Sequence, residues 1–110
     1  NEWLTQPPEA VRSYAYCADT LYDESIAVKC RHSTLLYHEA TYLDDQREKA
    51  MSRMHSTSRQ AAAIALKANA HRLILGHFSS RYEHLEGFAA EAREIFPHTD
   101  LALEGATYLV

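Results

Sequence analysis

The fold of this chain is decided by the stretch Arg72-Leu73-Ile74-Leu75-Gly76-His77-Phe78-Ser79-Ser80-Arg81-Tyr82. Its residues 73–76 form a continuous apolar run, which is typical of a short strand that is covered on both faces of a sheet. His77 is the first polar side chain after this predicted strand. Ligands of open α/β sheets bind outside the carboxyl ends of the strands, so His77 is a candidate site residue. Taken alone, a histidine in this position is more often an ordinary structural residue.

Two other predicted strands end in the same way. A strand over residues 12–17 is followed by Asp19, and a strand over residues 34–37 is followed by Glu39. Parallel strands bring their carboxyl ends to one edge of the sheet. We therefore expect Asp19, Glu39 and His77 to converge at that edge.

The segments between the strands follow helical spacing, and this alternation predicts βαβ connections and an α/β class. Helices are predicted over residues 21–30, 43–54, from the His55-Ser56-Thr57-Ser58 cap to about residue 70, and 85–96, where Pro97 ends the helix. Short closing strands are predicted over residues 101–103 and 107–110. Residues 1–11 are interpreted as an extended lead-in, because the residue before a proline is pushed out of the α region.

Composition limits the possible functions. A chain of 110 residues with 46% hydrophobic content fits one small folded domain. Its formal net charge of −4 provides no broad basic surface, so a nucleic acid would have to be held by a few local cations or by a metal. No apolar run is long enough to span a membrane. Cys17 and Cys30 have no metal-binding spacing and are interpreted as reduced thiols of a cytoplasmic protein.

The candidate residues have complementary chemistry. Asp19 and His77 are of the types that bind zinc or manganese, and a carboxylate can bridge two such ions. His55 lies just ahead of a predicted helix N-terminus, where free N–H groups favour an anion such as phosphate. An imidazole at a phosphate site is suited to act as the general acid for a leaving alkoxide. Together these residues indicate metal-assisted phosphodiester hydrolysis.

Each of these residues also has an ordinary structural interpretation. Asp19 could start a turn or cap the following helix. Glu39 could simply end its strand, and because His38 and Glu39 are adjacent, at most one of them follows the inward direction of the strand. We interpret His38 as the structural residue of that pair. Arg81 could be no more than a loop residue.

Four motifs follow one another along the chain. They are Tyr16-Cys17-Ala18-Asp19-Thr20, then His38-Glu39-Ala40-Thr41, then His55-Ser56-Thr57 with Gln60-Ala61-Ala62, and finally Gly76-His77-Phe78-Ser79-Ser80-Arg81-Tyr82. In this order they resemble the second half of ribonuclease Z, the metallo-β-lactamase-fold endonuclease that matures the 3′ ends of precursor tRNAs. The resemblance covers most of the chain from about residue 7 onward. It implies that residues 1–110 form the C-terminal half of an αββα sandwich.

The resemblance also implies a role for each site residue. Asp19 matches the carboxylate that bridges two zinc ions, and His77 matches a ligand of one of them. His55 matches the histidine that contacts the scissile phosphate and donates a proton. Glu39 matches the partner that orients this histidine, and Arg81 matches a loop arginine near the phosphate.

The chain departs from the family in one large respect. Ribonuclease Z carries a His-x-His-x-Asp-His metal motif in its first half, together with a further histidine ligand and a tRNA-gripping arm, and this sequence contains no such motif. The resemblance therefore implies an enzyme whose N-terminal half is missing here, so that this segment alone is inactive. It further implies a precursor tRNA substrate, two zinc ions in the complete enzyme, with manganese as the alternative metal, and a homodimer.

Two other functions stay open at this point. The chain could be an α/β interaction module that kept the half-fold without catalysis, or another metallo-β-lactamase-fold hydrolase that acts on small esters. A His-x-His-x-Asp-His run encoded upstream of Asn1 would favour the nuclease. In any of these cases we expect the strands to leave an apolar sheet face exposed, which a second copy of the chain would cover.

Overall fold

The computed structural model describes residues 13–17 and 22–102. The predicted lead-in over residues 1–11, Asp19 and the predicted strand over residues 107–110 lie outside the described residues. Within them the order of elements is β1 (Tyr14–Cys17), α1 (Ser25–Lys29), β2 (Leu35–Glu39), α2 (Arg47–Ser52, preceded by a 3₁₀ turn over Asp44–Gln46), α3 (Ser58–Ala68), β3 (Leu73–Gly76), α4 (Glu86–Arg93) and β4 (Thr99–Leu101).

The strands form one sheet in the order β1-β2-β3-β4, and every neighbouring pair is parallel. The predicted α/β class is therefore confirmed. Glu39 pairs with Gly76, so the last residue of β2 and the last residue of β3 lie side by side at one edge of the sheet. Since His77 directly follows Gly76, the predicted convergence of Glu39 and His77 is also confirmed.

The core lies between the sheet and the helices that cover one of its faces. Helix α3 is central to it, because its small side chains allow close packing on the strands. The inner stripe of this helix is fully buried and consists of Ala61, Ile64, Ala65 and Ala68. The same cluster contains Leu36, Leu73, Leu75 and Phe88. No helix among the described residues is long and apolar enough to cross a membrane.

Strand β2 is longer than predicted. The strand predicted over residues 34–37 continues through His38 to Glu39, because Glu39 still finds a pairing partner in β3. The backbone N–H of Ala40 then donates to the carbonyl of Gly76 at 2.8 Å. The sequence pattern did not predict this part of the strand, because His38 and Glu39 are polar.

Helix α4 ends earlier than predicted, and strand β4 lies two residues earlier than predicted. Helix α4 stops at Arg93 instead of continuing to residue 96, because the amide of Ile95 donates to the carbonyl of Ala92 at 3.0 Å and tightens the last turn. Strand β4 covers residues 99–101 instead of 101–103, since Thr99 and Leu73 are paired. The buried Thr99 hydroxyl donates to the carbonyl of Phe96 at 2.6 Å, so a polar residue could enter the core.

The opposite face of the sheet carries a row of tyrosines. Tyr14 and Tyr16 on the edge strand β1 are 52% and 63% exposed, and the ring of Tyr16 stacks on that of Tyr37 with centroids 4.7 Å apart. Leu35 and Ile74 are buried. The exposed apolar surface is therefore narrower than the contiguous face predicted for all three strands.

A glycine is required where β3 passes beneath Tyr37. A Cβ atom on Gly76 would lie 2.1 Å from the hydroxyl oxygen of Tyr37 and 2.6 Å from its Cζ atom. We expect Gly76→Ala to lower the free energy of unfolding by about 1–3 kcal/mol, the usual cost of overpacking. Chemical denaturation of the chain would measure this change.

Gly87→Ala is the matched control. A Cβ atom there would lie 3.6 Å from the nearest Leu43 carbon, which is an ordinary contact, and position 87 is inside helix α4. We expect this variant to be unchanged or more stable by up to about 1 kcal/mol. Equal stabilities of the two variants would contradict the steric argument.

Candidate metal centre and acid pair

The site is built around the carboxylate of Glu39. Its side chain is fully buried at the end of β2. One oxygen, Oε1, lies 2.9 Å from Nδ1 of His55. The other, Oε2, accepts from the backbone N–H of Thr41 at 3.1 Å and from the hydroxyl of Thr41 at 2.6 Å. Both oxygens of this buried acid are thus hydrogen-bonded, as a polar group removed from water requires.

His55 is held in place by the turn between α2 and α3. Its backbone N–H donates to the carbonyl of Ala50 at 2.8 Å, and the residue before it, Met54, has a φ of 61°. After His55, Thr57 caps helix α3 through a capping box with Gln60, so the predicted hydroxyl cap is confirmed. The side chain of His55 is 21% exposed, so it lies between the buried Glu39 and the surface.

His77 lies at the exposed rim of the same site. It has a φ of 61°, a left-handed conformation that is uncommon for a residue with a side chain and that concentrates at functional sites. Its Nδ1 atom lies 3.2 Å from the hydroxyl oxygen of Thr41. The loop after it is fixed to the same residue, because the N–H of Ser79 donates to the carbonyl of Thr41 at 2.9 Å.

These contacts determine the tautomers of both histidines. A carboxylate can only accept, so Nδ1 of His55 carries the proton that points to Glu39. The single hydroxyl proton of Thr41 is donated to Glu39, so toward His77 this oxygen accepts, and Nδ1 of His77 carries a proton as well. In the neutral form of either ring the lone pair is therefore on Nε2.

The three side chains form a group that could hold a metal ion. The candidate ligand atoms of Glu39, His55 and His77 all lie within 4.8 Å of one another, and the two rings have centroids 5.5 Å apart. Imidazole nitrogen and carboxylate oxygen suit zinc or manganese. Within this group, His77 is the best metal ligand, because Glu39 and His55 are already bonded to each other.

The structure brings some of the predicted site residues together and leaves others apart. Glu39, His55 and His77 converge, whereas Asp19 lies outside the described residues. Arg81 is exposed in the loop after His77, with its guanidinium carbon 5.8 Å from the centroid of the Tyr82 ring. Its role at a phosphate stays a prediction.

Sequence reasoning missed Thr41. The residue was visible in the motif His38-Glu39-Ala40-Thr41, but no role was assigned to it. The structure shows that its hydroxyl lies between Glu39 and His77. The available signal was a hydroxyl residue two positions after a strand-end carboxylate, which is a spacing at which Ser and Thr often close local side-chain hydrogen bonds.

His38 and the two cysteines stand apart from this site. His38 is fully buried, its Nδ1–H donates to the carbonyl of Glu39 at 2.8 Å, and burial lowers the pKa of its ring. This agrees with its interpretation as a structural residue.

The sulfur atoms of Cys17 and Cys30 are 3.8 Å apart as free thiols. Burial, together with the neighbouring Cys30, raises the pKa of Cys17 to about 12, so the thiolate is scarce at neutral pH.

The sequence is similar to part of curated ribonuclease Z sequences. Ribonuclease Z of Cytophaga hutchinsonii is 45% identical over 107 residues, covering 97% of this chain and 34% of that protein. Ribonuclease Z of Parabacteroides distasonis is 47% identical over 105 residues, covering 96% of the chain and 34% of its own length. The chain thus spans about a third of the length of the curated relatives it matches. No family model matches it.

Solved structures identify the fold. The metallo-β-lactamase fold protein YhfI from Bacillus subtilis matches with a TM-score of 0.81 and 26% identity, over 89% of this chain and 40% of that one. The short form of human tRNase Z matches with a TM-score of 0.61 and 30% identity, over 88% of this chain and 33% of that one. The chain is therefore part of a metallo-β-lactamase fold. By sequence it corresponds to a segment of ribonuclease Z, and the family resemblance is confirmed.

The buried His38 predicts a dependence of stability on pH. Because burial lowers its pKa below the usual 6.5, the folded chain keeps this ring neutral where the unfolded chain takes up a proton. Its contribution to stability is complete above pH 6.5 and is lost as the pH falls below that value. We expect His38→Asn, which retains a donor near the Nδ1 position, to make the free energy of unfolding less dependent on pH below 6.5.

The matched control is His71→Asn, because His71 is exposed. Chemical denaturation at a series of pH values from 5 to 8 would compare the two variants with the unmodified chain. If His38→Asn and His71→Asn change the pH dependence equally, the buried ring is not its source.

Proposed function

We propose that this chain contributes the proton donor and part of the metal site of a zinc-dependent endoribonuclease that removes 3′ trailers from tRNA precursors. The observation that carries the proposal is the pair formed by the buried Glu39 and the half-buried His55, which lies beside His77 at the carboxyl edge of a parallel sheet. The similarity to ribonuclease Z sequences supports the substrate class. Because the chain spans only about a third of those proteins, we expect the segment alone to be inactive.

His55 acts as the general acid in this proposal. Its Nδ1–H is directed at Glu39, so the ring presents Nε2 to the other side. When the ring is protonated, the buried carboxylate stabilises its charge and fixes its orientation. His55 would then donate the Nε2 proton to the leaving oxygen as the phosphodiester bond breaks. The helix α3 N-terminus, which begins three residues later, favours the negative charge of the phosphate.

His77 and Asp19 are the proposed metal ligands of this chain. The donor set suits zinc, with manganese as the alternative, because Nε2 of His77 carries the lone pair in the neutral ring. A zinc ion bound there would lower the pKa of a bound water and polarise the phosphate. Arg81 is the proposed phosphate contact, a local cation in a chain whose formal net charge is −4.

This chain would need further parts of the same enzyme. The remaining metal ligands and the tRNA-binding arm would come from the N-terminal half of the fold. We also propose that the enzyme is a homodimer in the cytoplasm. A second candidate function is another metallo-β-lactamase-fold hydrolase, because the match to YhfI with a TM-score of 0.81 supports this fold without selecting a substrate. The Glu39–His55 pair supplies the proton donor that an alkoxide leaving group needs, and the similarity to ribonuclease Z sequences favours the nuclease.

The role of His55 can be tested in the complete protein. We expect His55→Ala to retain its zinc and to cleave precursor tRNA about 100-fold more slowly or worse, because the leaving oxygen loses its proton donor. Metal analysis and single-turnover cleavage would be measured on the same preparation. His71→Ala is the matched control, and it should leave both unchanged. Loss of zinc from His55→Ala would show instead that His55 is a ligand.

A second test concerns the chain alone. Asp19 and His77 are too few ligands for a complete zinc site, which usually has about three protein ligands and a water. We therefore expect the 110-residue chain to bind zinc weakly and incompletely after treatment with a chelator. Calorimetric titration that showed two tightly bound ions per chain would contradict this division of the site.

A further inference from the structure

We propose that Thr41 is a positioning residue that fixes the ring of His77 and links it to the Glu39–His55 pair. This inference rests on the proposed function, in which His77 is a metal ligand and His55 is the proton donor. It states that Thr41 helps to hold both residues in place. The observation is that a single buried hydroxyl lies 2.6 Å from Oε2 of Glu39 and 3.2 Å from Nδ1 of His77.

The hydroxyl can serve both neighbours in only one way. The Thr41 hydroxyl donates a hydrogen bond to Oε2 of Glu39, because an ionised carboxylate oxygen can only accept one. The Thr41 oxygen then accepts from Nδ1–H of His77. This arrangement fixes the tautomer in which Nε2 of His77 presents its lone pair, which is the form that a metal ligand needs.

The backbone of Thr41 is fixed to the same two segments as its side chain. Its N–H lies 3.1 Å from the carbonyl of Ser56, next to His55, and its carbonyl accepts from the N–H of Ser79 at 2.9 Å, two residues after His77. Thr41 is therefore bonded to the segments that carry both histidines. A displacement of the segment that carries His55 would therefore also displace the segment that carries His77, and the reverse holds as well.

Threonine suits this position better than a smaller hydroxyl residue. A β-branched side chain has restricted χ1 freedom, so its hydroxyl stays aimed at its partners. Replacing the hydroxyl by a methyl group would remove the 2.6 Å hydrogen bond to Oε2 of Glu39 and the 3.2 Å contact with Nδ1 of His77. Loss of such an outer partner typically lowers metal affinity 10-fold to 100-fold.

The test compares Thr41→Val with Thr41→Ser in the complete protein. Valine keeps the shape without the hydroxyl, and serine keeps the hydroxyl. We expect Thr41→Val to bind zinc about 10-fold to 100-fold more weakly in competition with a chromophoric chelator, and to cleave precursor tRNA more slowly even at saturating zinc. Thr41→Ser should restore the zinc affinity to within a few-fold of the unmodified protein.

Thr99→Val is the matched control, because Thr99 also donates a buried hydroxyl but does so to the carbonyl of Phe96, in β4. It should lose stability and retain its zinc affinity. Circular dichroism would confirm that each variant is folded. If Thr41→Val does not fold, Thr41→Ala takes its place with the same expectation.

The outcomes separate this inference from the proposed function. Unchanged zinc affinity in Thr41→Val, or an equal loss in Thr99→Val, would overturn the role of Thr41 even if the unmodified protein cleaves precursor tRNA. If the unmodified protein cleaves no RNA and Thr41→Val still weakens zinc binding with rescue by serine, the proposed substrate is wrong and the positioning role stands.

Discussion

The arrangement of this site depends on the burial of one carboxylate. Glu39 has no exposed surface, and an ionised carboxylate without hydrogen-bond partners in such a place would cost several kcal/mol. Hydrogen bonds to this carboxylate come from His55 and from the backbone and side chain of Thr41. A conformation in which the Glu39 carboxylate keeps these hydrogen bonds therefore also fixes the orientation of the His55 ring and the position of Thr41.

The parallel sheet determines what this carboxylate can reach. Glu39 and Gly76 are paired at one edge, so the loop that begins with His77 emerges beside the buried acid. The site then passes from a buried interior to an exposed rim, from Glu39 through the half-buried His55 to the exposed His77. This gradient suits a site in which an internal acid orients groups that meet a charged substrate at the surface.

The sequence was informative where side-chain type followed the backbone pattern. The apolar run of β3 placed His77 at the end of a strand, and the hydroxyl cap placed His55 before α3. It was not informative where polar residues are buried. β2 extends to Glu39 and β4 begins at Thr99 because tertiary partners form hydrogen bonds with these side chains. The position of Thr41 depends on contacts with Glu39 and His77 that exist only in the folded chain.

The central claim is that the Glu39 carboxylate orients both histidines, His55 directly and His77 through the Thr41 hydroxyl. Nitrogen-15 NMR of the imidazole rings in the metal-free chain, at a pH where they are neutral, tests this most directly. Our account predicts that both rings carry their proton on Nδ1, with the unprotonated nitrogen at Nε2. Rings protonated on Nε2, or an even mixture of tautomers at His55 and His77, would contradict it.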